Sequence, residues 1–189
     1  MRTLSHVLIT AGLGAALRGR RVDVHQGAFL AGAALPDLPL AALASGHKAV
    51  RIVRGPSPGH SDAPSDRFDV GCHDLFFDDP LWIASYGIPH APAVIAALWL
   101  VGRGTGRSDL RWLAAGLALH SALDVLTHHD DGPLLLFPFD WRRRWCSPVS
   151  YWDQAHHAAP FTVFEYGLDL LLLGALARKG VRAWRTRNA

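Results

Sequence analysis

Glutamate is almost missing from this chain. Glu165 is the only one among 189 residues, against fifteen aspartates, and only two of the nineteen basic residues are lysine. Charged residues make up 19% of the sequence and hydrophobic ones 50%, which excludes a disordered, self-repelling polymer. Two cysteines, Cys72 and Cys146, are too few for a disulfide framework and read as free thiols. There is no glycine-rich phosphate loop, no convincing pair of alternating strands and no internal repeat. A long uninterrupted apolar run is lacking too: the longest stretch free of Asp, Glu, Lys and Arg, 80–102, contains Pro80, Pro89, His90 and Pro92.

What remains is a chain rich in leucine and alanine, with apolar segments near 3–17, 26–45, 90–102, 110–127 and 160–178. Their composition and the polar or Pro/Gly-rich connections between them predict an all-α fold. The expectation is a single helical domain over 1–189, a bundle of about five apolar helices, with a loop-rich insertion at about 46–72. The opening "MRTLSHVLITAGLGAALRGRR" reads as the first helix of the mature chain, because His6 interrupts the apolar run and arginines follow it at once. Arginines cluster at segment ends, as in Arg142, Arg143 and Arg144, a pattern that suits anionic headgroups better than a nucleic-acid groove; a solvated face is the plain alternative. Membrane lipid is the expected partner and nucleic acid is not. The expected location is a bacterial inner membrane or its surface, with a soluble cytoplasmic protein as the alternative.

The chemistry is concentrated in "LHSALDVLTHHDD", residues 119–131. His120 and Asp124 stand four apart, on one face of a helix, where an imidazole and a carboxylate can ligate one divalent ion. A simple His–Asp hydrogen bond is the competing explanation. His128 and His129 continue the helix or its last turn, and Asp130 and Asp131 follow before Gly132-Pro133. Asp37 is the only charge in an apolar run of about twenty residues and lies between Pro36 and Pro39, where a helix must break toward a cavity or be capped. Glu165, with Asp169 one turn on, is placed inside a hydrophobic helix, a costly burial. "SPVSYWDQAHH" offers Asp153, His156 and His157 on a turn-rich segment. His6 and His90 are lone histidines that packing alone can explain.

With "GAALPD" and "GLALHSALDVLTHHDDGPLLLFPF" in view, the chain resembles the bacterial membrane-bound metal-dependent hydrolase family, which includes the LexA-binding inner-membrane hydrolases. The likeness covers about two thirds of the chain. The family's basic-histidine stretch before the central His-Ser is absent, and "GIPHAP" is only a loose counterpart, so His90 is the weakest transfer. "HHDD" and "SPVSYWDQAHH" are similar to those of small proteobacterial proteins, some bearing an inherited cobalamin-biosynthesis label. The residues give that label no support, since neither a phosphate loop nor a nucleophilic cysteine setting is present.

More distantly, the order of groups is similar to the all-helical zinc-dependent phospholipase C and nuclease superfamily. That likeness implies a phospholipase C-like bundle in which His6, Asp37, His120, Asp124, His128 or His129, one of His156 and His157, and Glu165 ligate metal. Position 161 is Phe161, so the superfamily's second helix pair is not reproduced and one or two ions, expected to be zinc, replace its three. The expected activity is metal-assisted hydrolysis of a phosphoester at or near the membrane, with Asp37 or Asp124 as bridging ligand or base and Arg142–Arg144 as phosphate contacts. The alternative is a non-catalytic, membrane-associated helical protein with a structural or metal-binding His/Asp cluster.

Overall fold

The computed structural model describes residues 1–54 and 70–188. Within them the chain is all-α: α1 (Thr3–Gly19), α2 (Gln26–Ala34), α3 (Asp37–Arg54), α4 (Val70–Asp78), α5 (Pro80–His90), α6 (Pro92–Gly104), α7 (Ser108–Val125) and α8 (Ala158–Arg187), with a 3-10 turn at Gln154–His156. No strand occurs among the described residues. The helices outnumber the five apolar segments because α4 and α5 carry too many aromatic and polar residues to read as one apolar run. Of the expected loop 46–72, residues 46–54 complete α3 and 70–72 begin α4; residues 55–69 lie outside the described residues.

Proline sets the breaks. The run 26–45 divides at Pro36 into α2 and α3, whose axes differ by 42°. A residue before proline is biased away from the helical region, and Ala91, before Pro92, is extended (φ −70°, ψ 123°), so that α5 and α6 meet at 50°. Asp79 starts α5: its carboxylate accepts from Leu81 and Trp82 backbone N–H at 2.9 and 3.2 Å, with Pro80 occupying the first turn.

Helix α7 is the hub, packing on α1, α2, α5 and α6. It meets α2 through glycines: a Cβ on Gly32 would come within 2.8 Å of Gly116 Cα and Leu117 N, so only hydrogen lets the two backbones approach this closely. Ile95, Ala114 and Leu117 seal α6 against α7, and Cys72, Phe76, Trp82 and Tyr86 join α4 to α5. Both cysteines are free. Helix α8 packs chiefly on α1 and is long and apolar enough to cross a membrane; each bent pair, α2–α3 and α5–α6, also qualifies if taken as one span.

Candidate metal centre

The close α2–α7 crossing has a chemical consequence. It brings the Ala33 carbonyl on α2 to 2.8 Å from His120 Nδ1 on α7. An Nδ1–H donating to a carbonyl leaves the lone pair of the neutral ring on Nε2, which is how metal-binding histidines are oriented. His90, the last residue of α5, is held in the same way by Tyr86 O at 2.7 Å from its Nδ1. Both rings then present Nε2 to Asp124.

Asp124 is the focus. Its Oδ2 lies 3.1 Å from His120 Nε2 and 3.4 Å from His90 Nε2, while Oδ1 lies 2.9 Å from His6 Nε2. Asp37, the first residue of α3, brings Oδ1 to 3.5 Å from His120 Nε2, and its other oxygen accepts from Thr3 Oγ1. One ligand atom from each of Asp37, His90, His120 and Asp124 falls within 4.8 Å of all the others, so this group can hold a metal ion. Zn–N and Zn–O bonds of about 2.0–2.2 Å in a tetrahedron separate ligand atoms by about 3.3 Å. The His–Asp separations of 3.1, 3.4 and 3.5 Å bracket that edge.

The alternative of plain hydrogen-bonded pairs fits less well. The Nε2 atoms of His6, His90 and His120 are buried and make no aligned hydrogen bond, although carboxylate oxygens lie near each. At 2.9–3.4 Å these nitrogens face the Asp124 carboxylate off its hydrogen-bonding directions, His90 and His120 from the Oδ2 side and His6 from the Oδ1 side. His6 stacks on His120 with ring centroids 3.7 Å apart, on the Oδ1 side of the carboxylate and outside the four-residue group.

Electrostatics favour a cation here. Burial pushes the His120 pKa down, but the carboxylates of Asp124 and Asp37 outweigh it and carry it up to about 9. A proton on His120 therefore serves where a metal would, and the N-terminal ammonium, 3.4 Å from Asp124 Oδ1, adds positive charge beside the two acids. His6 is shifted the other way, burial lowering it despite Asp124. Access differs within the group: the side chains of His90, His120 and Asp124 are 0–2% exposed, while that of Asp37 is 29% exposed. The cluster opens to the outside on the Asp37 side.

The remaining sequence candidates lie outside the four-residue group, although His128 Nδ1 is 3.5 Å from Asp124 Oδ1. Helix α7 ends at Val125, not beyond the histidines, so His128 sits in a turn with Nδ1 3.1 Å from the Asp124 carbonyl; burial lowers its pKa to about 3, against the pull of Asp124, and keeps it neutral. His129 stacks on His156 at 3.5 Å; its Nδ1 donates to Ser147 O, and His156 Nδ1 pairs with Asp153. His157 is exposed at the start of α8, in a left-handed conformation (φ 68°). Glu165 is buried but belongs to another network: it accepts from the Arg2 backbone N–H at 2.7 Å and from Arg2 Nε at 3.0 Å. Asp169 accepts from Arg2 Nη2 and Ser5 Oγ, both at 3.1 Å. Their costly burial thus fastens α8 to the start of α1. Arg144 is also committed, donating to Phe76 O at 3.0 Å and lying 4.0 Å from the Phe76 ring centroid, whereas Arg142 and Arg143 stay exposed.

The residue that sequence reasoning undervalued is His90. Its signal was present in "GIPHAP": a histidine directly before the Ala-Pro break, as Asp37 directly follows Pro36. Both are ligand types at proline-forced bends, where a side chain is turned out of the regular helix surface. Comparison with known proteins finds no family model, no curated protein and no solved structure that matches this chain.

Proposed function

We propose that the chain is a metal-dependent hydrolase acting on phosphoesters at or near a membrane, with Asp37, His90, His120 and Asp124 as the metal-binding residues. The observation that carries this reading is the set of buried imidazole Nε2 atoms left without aligned partners, two of them on rings fixed through Nδ1 by backbone carbonyls. A divalent ion such as zinc, held there, supplies a Lewis acid for a phosphoryl oxygen and acidifies water. The chain's own residues divide the work. His120 and His90 fix the position of the centre, Asp124 balances its charge from the buried side, and Asp37, the accessible carboxylate, accepts the proton from an attacking water. On the other oxygen of Asp124 lie His6 Nε2 at 2.9 Å and the N-terminal ammonium at 3.4 Å, which hold that side of the carboxylate.

Membrane association is supported by α8 and by its basic end, Arg178, Lys179, Arg182, Arg185 and Arg187. The resemblance to membrane-bound metal-dependent hydrolases points the same way. Four protein ligands close a tetrahedral site, and a catalytic one keeps three with water in the fourth place; Asp37, 29% exposed, is the ligand placed to give way to water. The test is hydrolysis of bis(p-nitrophenyl) phosphate and of phospholipid by metal-loaded protein. Turnover lost in Asp37→Asn, whose amide oxygen is a weaker ligand so that metal is held less tightly, is the expected result at saturating metal; bound metal without turnover on any phosphoester would leave only the structural role.

A further inference from the structure

The helix ends sort by charge. Helix α1 leaves the metal centre running parallel to α8: Arg2 meets Glu165, Ser5 meets Asp169, and a Cβ on Gly12 would lie 3.1 Å from Leu172 Cδ2. Six residues further on, α1 carries Arg18 and α8 carries Arg178, so both helices end on the same side. Helix α6 starts beside His90 and runs to that side too. Helix α7 returns from it, with Gly102 packed on Leu110 and Arg111 and the Trp112 indole donating to Asp23 O at 3.0 Å. The end opposite Asp124 therefore gathers Arg18, Arg20 and Arg21 at the close of α1, Arg103, Arg107 and Arg111 around the α6–α7 turn, and the five basic residues of α8 beyond Ala177.

All eleven side chains are exposed. Among the described residues, the acids at this end are Asp23 and Asp109, and Asp109 is taken by Arg107 at 2.6 Å. The rest of the chain holds eight basic residues against fourteen acidic ones, so a molecule with a formal charge of only +3 is strongly polarised. Along α7, Arg111 and Asp124 stand thirteen residues apart, about 20 Å at 1.5 Å per residue. The Debye length is about 10 Å at 0.1 M salt. The carboxylates around the metal centre therefore do not cancel the field at the basic end.

Charge alone would suit a nucleic acid or an acidic protein. Here Val22, Val101, Val181 and Trp184 stand exposed among the arginines, and tryptophan is the side chain that settles at the boundary between headgroups and acyl chains. The geometry points to an anionic phospholipid surface: the basic end binds its headgroup phosphates through arginine forks and holds the metal centre about 20 Å away from them. Anionic lipid is thus an anchor at the end of the chain remote from the centre. This surface is the membrane-facing part of the proposed function and rests on that reading, but it uses none of the four metal-binding residues.

The experiment titrates tail-labelled fluorescent phosphatidylglycerol into the full chain in dodecyl maltoside micelles and follows energy transfer from tryptophan. Saturable binding is expected, and weaker binding of phosphatidylcholine with the same label, which carries no net charge. Each basic residue near an anionic surface is worth about fivefold, so the triple changes Arg18→Gln, Arg20→Gln, Arg21→Gln and Arg178→Gln, Lys179→Gln, Arg182→Gln each weaken phosphatidylglycerol by more than about tenfold. Helicity by circular dichroism stays at the wild-type level in both. Arg142→Gln with Arg143→Gln, in the segment whose Phe137 packs beside Ala91 at the metal-centre end, leaves binding unchanged. The titration needs neither bound metal nor turnover: a failed phosphoester assay leaves it standing, and its own failure with turnover intact removes only the anchor. Equal binding of the two lipids, or loss in the Arg142 and Arg143 variant instead of the triple ones, overturns the inference. So does a DNA duplex that displaces the lipid at equimolar phosphate, since a nucleic acid would then be the better occupant.

Discussion

Replacing Gly32 by alanine tests how the fold sets the centre, because that substitution touches none of the ligands. An added Cβ would lie 2.8 Å from Gly116 Cα and Leu117 N, all backbone across the α2–α7 crossing, and so nothing flexible can yield. Carbon contacts relax to about 3.5–4 Å, which drives the helices apart by about 1 Å. The Ala33 O to His120 Nδ1 distance, now 2.8 Å, would then exceed hydrogen-bonding range. Metal–ligand distances tolerate about 0.2 Å, and losing the carbonyl that orients a ligand costs about 10- to 100-fold in metal affinity. Overpacking adds about 1–3 kcal/mol of destabilisation.

Gly27, in the same helix α2 but with nothing within 4 Å of an added Cβ, is the control: Gly27→Ala should be neutral or gain about 0.5 kcal/mol. The assay is isothermal titration of zinc into chelator-treated protein, with thermal unfolding of the same samples. Wild-type affinity in Gly32→Ala would refute the claim that the glycine contact and the Ala33 carbonyl position His120.

Three further outcomes follow from the same geometry. Because His120 has a pKa of about 9 and must lose its proton to bind metal, zinc binding at pH 7 should release about one proton and tighten with rising pH up to about 9; titrations in two buffers of different ionisation enthalpy measure this, and equal heats would contradict it. Glu165→Gln, which weakens the Arg2 clamp between α1 and α8, should lower stability by about 1–3 kcal/mol in chemical denaturation while leaving metal content intact, since Glu165 lies outside the four-residue group. Burial raises the Asp131 pKa to about 6 even though Trp152 donates to its carboxylate. The folded chain therefore keeps this proton longer than the unfolded one, so its favourable contribution is present below about pH 4 and is lost as pH rises to about 6. Asp131→Asn should flatten that part of the stability–pH curve and raise the melting temperature at pH 7; an unchanged curve would rule out Asp131 as its source.

Legibility in the sequence followed the range of the interactions involved. The helices of 3–17 and 110–127 were visible because leucine and alanine content is a local property, and the break at Pro36 because proline acts on its immediate neighbours. The pairing of His120 with Asp124 was equally local, one helical turn. Glu165 misled for a physical reason: a buried carboxylate demands a positive partner, and sequence alone does not tell a metal from Arg2, 163 residues away. Residue type groups the histidines of "SPVSYWDQAHH" with the centre, but the Nδ1 of His156 is spent on Asp153, as that of His129 is on Ser147. His90 was the reverse case: its role depends on the α5–α6 bend carrying it to α7, a long-range contact that no spacing records. The Gly32–Gly116 contact was hidden for the same reason, each glycine looking unexceptional within its own helix.

The central claim is a metal centre built on Asp124. Its most direct test is elemental analysis of the full chain, purified without a polyhistidine tag or chelator, beside His120→Ala, Asp124→Ala and the exposed control His73→Ala. Stoichiometric zinc in wild type and His73→Ala, lost in both cluster variants while helicity is retained, is the predicted result. A wild-type chain that is folded and metal-free, and that takes up no divalent ion on titration, would contradict it and reduce the cluster to a buried His–Asp network.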